Sequence, residues 1–187
     1  MDQRTLVERA MKGDHEAFAA LVDGVAARQL GAARLIVRDL GLAHDATQDA
    51  LVRAWRDLPG LRDPDRFDAW LHRLTVNACF DLLRRKRRRA SEIELPDFDL
   101  AGPSDPAIGI ADRDALHRAL ARLDVQARAV VVLHYYVGLP ISEVAIALGM
   151  PAGTAKSRLN RSLTAMRVEI AGGRRSRAAS VAEGQLA

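Results

Sequence analysis

GLPISEVAIALGMPAGTAKSRLNRSLTAMRV, residues 138–168, is the stretch from which the architecture can be read. Ile141, Val144, Ala145 and Leu148 recur at helical spacing, and Ala145 is small where two helices would cross closely. Gly149 follows, suited to the positive φ that closes a helix, and Pro151 prevents the old helix from simply continuing. A second periodic run then places Ala152, Ala155, Leu159, Leu163 and Met166 on one face. Lys156, Ser157, Arg158, Asn160, Arg161 and Thr164 fill the rest. Two short helices joined by a tight turn, the second basic, form a helix-turn-helix. A second helix of this kind enters a major groove, where Lys and Arg meet phosphates and guanine edges.

Outward from that motif, the chain reads as helical throughout. Its 187 residues suffice for one domain or two small ones, and a 49% hydrophobic composition supports a packed core. Aromatics make up only 4%, and Ala, Leu and Val dominate, which favours helix over sheet. The net charge of +4 hides an uneven layout. Residues 91–111 hold five acidic side chains and no basic one, between two blocks with a basic excess. Basic blocks favour a polyanionic partner. Cys79 is the single cysteine, which excludes an intrachain disulfide and a cysteine-rich metal site. The five histidines lack ligand spacing, so neither a metal nor a cofactor is expected. No apolar run approaches a membrane span and the N-terminus lacks a signal-peptide layout, so the expectation is a cytoplasmic protein that does not insert into membranes.

The periodicity predicts a short helix before Gly13, then a long one capped by Asp14 and reaching about Leu40. Further helices are expected over residues 44–58 and 66–88, with a charged loop at 59–65 between them. Residues 91–111 carry three of the seven prolines and the acidic cluster, and read as a flexible, extended linker. Helical pattern resumes near Asp112, and Asp124 is placed to cap the next helix, with Val130, Val131 and Leu133 buried. From Ala171 the tail lacks apolar periodicity, and residues 172–187 are expected to be disordered. The fold class is therefore all-α: two small helical domains, 1–90 and 112–171, joined by an acidic linker, the second containing the helix-turn-helix.

Two faces in the first half carry chemistry. In the helix at 44–58, Ala50, Leu51, Ala54, Trp55 and Leu58 form the apolar side. Asp45, Asp49, Arg53 and Arg56 form a charged stripe, either a solvated face supported by Asp49–Arg53 pairing or a docking surface for a protein. In the helix at 66–88, Phe67, Leu71, Leu74, Ala78 and Leu82 point one way. Arg66, Arg73, Asn77 and Arg84 line up on another side, with Trp70 and Phe80 at its edges. Arginines hold phosphates, aromatics stack on bases, and an asparagine can read a base edge, so this face suits nucleic acid. Six consecutive basic residues at 84–89 exceed what the helix dipole calls for and favour a phosphate contact. Cys79, a lone small residue on this helix, reads as packing.

Both halves resemble one family, the extracytoplasmic-function sigma factors of the sigma-70 family. HDATQDALVRAWRDL resembles its core-polymerase-binding helix, FDAWLHRLTVNACFDLLRRKRR its −10 helix, and LPISEVAIALGMPAGTAKSRLNRSL its −35 reader. The resemblance covers about residues 5–170 and is most specific in the third stretch. It implies that Asp45 and Asp49, with Arg53 in the same helix, face the coiled coil of the largest polymerase subunit. Asn77 would lie near the pocket for a flipped non-template base, formed with the loop at 59–65, and Arg66, Trp70, Arg73 and Arg84 would line the same −10 surface. Lys156, Ser157, Arg158 and Arg161 would contact the −35 element. Leu51 and Ala155 stand where the family often carries Phe and Val.

The expected function is a non-enzymatic specificity subunit that binds bacterial core RNA polymerase and promoter DNA. The resemblance further implies an anti-sigma factor as a partner. A monomer is expected when the chain is free. The alternative is a stand-alone helix-turn-helix regulator binding operator DNA without polymerase, usually as a dimer. A nuclease would need clustered carboxylates or histidines, which the sequence does not offer.

Overall fold

Aspartate decides where half of the α-helices begin. In the computed structural model, which describes residues 2–92 and 110–184, Asp2, Asp14, Asp39 and Asp124 stand at N-caps. Their carboxylates accept from the N–H groups of Thr5 (3.0 Å), Ala17 (3.0 Å), Leu42 (3.0 Å) and Ala127 (2.8 Å). Each bond satisfies one of the donors that a helix start leaves without a partner. Among the described residues there are eight α-helices and no strand. The first unit comprises α1 (Gln3–Ala10), α2 (His15–Val37), α3 (Leu40–Asp57) and α4 (Phe67–Glu92). The second comprises α5 (Ile110–Ala121), α6 (Val125–Val131), α7 (Ile141–Ala147) and α8 (Ala152–Gly184). The expected acidic linker falls mostly at 93–109, outside the described residues.

The first boundary differs from the sequence pattern. Periodicity carries one helix to Leu40 and opens the next at His44, whereas α2 ends at Val37 and α3 starts at Leu40. Arg38 turns the chain at φ 59°, with its N–H donating to the Arg34 carbonyl at 2.9 Å. A left-handed arginine costs on the order of 1 kcal/mol, and the immediate cap by Asp39 offsets it. The Asp39 carboxylate is held below its ordinary range by the Leu42 N–H and then by Lys86, 3.3 Å away. The expected loop at 59–65 is mostly two single-turn 3₁₀ segments, Leu58–Gly60 and Pro64–Arg66.

Val7, Ala10, Ala17, Leu21, Ala54, Leu58, Phe67 and Leu71 pack the far end of the first unit. At the near end, Ala32, Ala33, Ile36, Ala43, Val76 and Cys79 belong to one apolar cluster with Leu120, Ala129, Val130, Leu133 and Val144 of the second unit. The two units therefore touch, a contact the sequence pattern does not announce. Cys79 is fully buried there, and burial pushes its thiol up to about 12, in keeping with a packing role.

After α6 the helix widens into a π turn, Val132–Tyr136, with the Val137 N–H donating to Val132 at 3.0 Å. Gly138 (φ 88°) ends it. Gly149 (φ 63°) closes α7, and the Met150 N–H donates to Ala145 at 3.0 Å. On α8, Ala155, Leu159 and Met166 are buried as the pattern predicts. Ala152 is exposed instead, and Ser162 is buried, its hydroxyl donating back to the Arg158 carbonyl at 2.8 Å. Disorder is expected from the sequence at 172–187, and α8 is drawn as far as Gly184. Missing apolar periodicity means that nothing need pack on the segment. It does not stop an Ala- and Arg-rich backbone from remaining helical.

Candidate nucleic-acid interface

Three exposed faces hold the residues singled out from the sequence. On α8, Lys156, Ser157 and Arg161 are exposed and Arg158 is half-buried. Ala155 and Leu159 face the core and hold this helix against α7 and α6. The Ser157 hydroxyl donates to the Thr154 carbonyl at 3.0 Å, and Arg161 Nε reaches the Ser157 carbonyl at 3.4 Å. Arg158 donates to the side chain of Gln126 on α6. Gln126 is thus a neighbour of this face that the sequence pattern gives no reason to pick. The four residues together form a basic ridge at the start of a helix whose dipole also favours an anion.

On α4, Trp70, Arg73, Asn77 and Arg84 fall along one side of the helix at steps that keep one face in register, and Arg66, the last residue of the 3₁₀ turn before it, continues that spacing. Arg66, Arg73, Asn77 and Arg84 are exposed, and Trp70 is half-buried with its ring centroid 6.1 Å from that of Phe67. Phe67, Leu71, Val76, Ala78 and Cys79 occupy the opposite side and fix the helix in place. Asp81, which the sequence pattern gives no reason to pick, lies on this side as well. It pairs with Arg84 and lies 3.5 Å from Arg53 of α3. The basic run at 84–89 is exposed throughout.

On α3, Asp45 is exposed, and Asp49 and Arg53 are half-exposed, 3.8 Å apart. Arg53 therefore links this stripe to α4 through Asp81 as well as facing outward. Beside the stripe runs an open groove of about 610 Å³ between α2 and α3. Phe18, Val22, Leu30, Leu51, Val52 and Trp55 are among the residues that line it. Val52 is 63% exposed, an unusual state for a valine beside an apolar groove. Trp55 is held by His15 and Phe18, at centroid distances of 4.4 and 5.0 Å.

Buried polar groups behind the α4 face set its rigidity. The Thr75 hydroxyl lies 2.8 Å from Gln29 Oε1 and 3.1 Å from the Leu71 carbonyl. His72 is 2% exposed and its Nδ1 has no partner, so burial pulls its pKa down to about 4 and the ring is neutral at pH 7. Among the described residues no cluster of His, Cys, Asp or Glu could hold a metal ion, and no helix is long and apolar enough to cross a membrane.

Comparison with known proteins now bears on these faces. Residues 16–89 match the Sigma-70 region 2 family and residues 113–166 match the Sigma-70, region 4 family. The chain is 36% identical over 156 residues to the ECF RNA polymerase sigma factor SigM of Mycobacterium tuberculosis, covering 83% of this chain and 78% of that protein. The structure of CnrH in complex with the cytosolic domain of CnrY superposes with a TM-score of 0.67 at 27% identity, covering 91% of this chain and 97% of CnrH. The fold is also that of the sigma factor RpoE of Bartonella quintana, solved with the anti-sigma factor NepR, at a TM-score of 0.74, 21% identity and coverages of 82% and 96%. With a region 2 face on α4, a region 4 helix-turn-helix on α7 and α8, and relatives that match over most of their length, the chain belongs to the extracytoplasmic-function sigma factors of the sigma-70 family.

Proposed function

We propose that this sigma factor works as the non-catalytic promoter-specificity subunit of a bacterial RNA polymerase in the cytoplasm. Polymerase docks on the α3 stripe of Asp45, Asp49 and Arg53, using the adjoining apolar groove. Lys156, Ser157, Arg158 and Arg161 enter the −35 major groove, where bidentate arginine contacts read guanine. Arg66, Arg73 and Arg84 hold phosphates of the −10 region, Trp70 offers a stacking surface, and Asn77 meets an extruded base. The free energy for strand opening comes from base capture and polymerase contacts. The observation that carries this reading is the alignment of Trp70, Arg73, Asn77 and Arg84 on one side of a helix whose other side is core, with Arg66 in the turn that leads into it.

An anti-sigma factor as a further partner is supported by the Bartonella quintana relative, which was solved bound to one. The test of the main proposal is run-off transcription by core polymerase over a promoter library, with and without this chain. Start sites that depend on the chain and vanish with Asp45→Arg/Asp49→Arg support it. Tight duplex binding by the chain alone with no polymerase-dependent start site refutes it and favours a free-standing regulator.

A further inference from the structure

Of the four side chains on the basic ridge of α8, one is held from another helix. The Ser157 hydroxyl and Arg161 Nε turn back to carbonyls of α8 itself. Among the described residues, Arg158 alone of the four reaches a side chain elsewhere, donating from Nη1 to Oε1 of Gln126 on α6. Arginine offers donors only, so the amide must present its oxygen here and turn its Nε2 away. Both partners stand on pinned backbone. Val125 and Ala127, on either side of Gln126, share one apolar cluster with Leu159, the neighbour of Arg158. Asp124 caps α6 through the Ala127 N–H at 2.8 Å. Arg128 ties the same helix to the carbonyls of Leu120 and Leu123, at 3.0 and 2.9 Å. Gln126 itself is exposed, so burial does not account for it.

A long side chain at a surface has many rotamers, and one bond from a fixed neighbour selects among them. A neutral acceptor does this without cancelling the positive charge, as a carboxylate would. Nε and Nη2 of Arg158 make no hydrogen bond among the described residues, so one edge of the fork is free. Two parallel donors match N7 and O6 of guanine, and meet an amino donor on adenine or cytosine. From this juxtaposition we infer that Gln126 is a positioning residue for promoter choice, aiming the Arg158 guanidinium at one guanine of the −35 element. The inference rests on the proposed −35 role of α8. Helix α8 carries the reading side chain, and α6 sets its direction.

The experiment uses polymerase reconstituted with the full chain, templates randomised over the −35 element, and sequencing of the transcripts. Arg158→Ala identifies the position that this side chain reads. Gln126→Leu keeps the bulk and removes the acceptor. It is expected to flatten guanine preference at that same position by about tenfold, toward the lower end of what a bidentate arginine–guanine pair supplies. The salt dependence of initiation is expected to stay as it is, because no charge is lost. Gln126→Glu retains an acceptor and is expected to keep the preference. In an Arg158→Ala background, Gln126→Leu is expected to change nothing further, as coupled residues require. Unchanged far-UV circular dichroism and thermal midpoint show that the variants fold. Preference left intact by Gln126→Leu where Arg158→Ala removes it overturns the inference, and so do strictly additive effects of the two substitutions. If neither Arg158→Ala nor Lys156→Ala alters any −35 position, the −35 reading itself fails and the inference falls with it, an outcome that these two variants report without Gln126.

Discussion

Acidifying the protein from pH 7 to pH 5 destabilises it through His72. The ring is 2% exposed, Nδ1 has no hydrogen-bond partner, and the folded pKa is about 4 against an ordinary 6.5. Above pH 6.5 the ring is neutral in both states and contributes no pH dependence. Between 6.5 and 4 the unfolded chain takes up a proton that the folded chain refuses, so stability falls as the pH drops. Below 4 both states are protonated and the loss levels off. Linkage turns the gap between these values into about 3 kcal/mol in full, of which about 2 kcal/mol is already lost between pH 7 and pH 5. Asp14, Asp39 and Asp57 have lowered pKa values and contribute mainly nearer pH 4. The window from 5 to 7 therefore isolates the histidine. Urea unfolding at pH 5, 6 and 7 should give a slope that His72→Leu removes. Parallel slopes for wild type and variant would refute the claim that burial keeps this ring neutral.

Other perturbations follow from the packing and the exposed faces. Leu71→Ala opens a hole beside Phe67 and Leu58 and should cost about 2–5 kcal/mol in urea unfolding. Asp14→Ala removes the cap on α2 and its bond to Ala17, and should lower stability by about 1 kcal/mol, read as a reduced thermal midpoint. Lys156→Ala should weaken binding to −35 duplexes almost regardless of sequence and make the salt dependence shallower by about one counterion. Arg161→Ala, if that side chain reads a base, should cost about 1–3 kcal/mol on the preferred duplex and relax preference at one position, measured by fluorescence anisotropy.

Local chemistry was the part of the fold that the sequence made legible. Asp14 and Asp124 signal their helices because a carboxylate at an N-cap acts on the next turn only. The α7–α8 turn was readable because Gly149 and Pro151 each have one steric consequence. The α4 face was readable because residues at steps of three and four share a side whatever lies opposite. What escaped depends on partners distant in sequence. Arg38 carries the turn between α2 and α3 without the glycine that usually marks one, and the Lys86 contact of Asp39 joins residues 47 positions apart. Asp81 becomes part of the α3 stripe only through Arg53. Arg128 looks like a surface arginine on a short helix until it meets the carbonyl of Ile36, 92 positions away. Helical periodicity shows which face is apolar but not which unit covers it, so the contact between the two halves could not be read from spacing.

The central claim is that α8 and α4 read two separate promoter elements within one polymerase complex. The direct test is transcription by the reconstituted polymerase on templates randomised at both elements, followed by sequencing of the transcribed population. Lys156→Ala/Arg161→Ala should flatten preference at the −35 element and leave the −10 preference in place. Asn77→Ala should do the reverse. Both variants altering the same element, or neither altering any, would contradict the account.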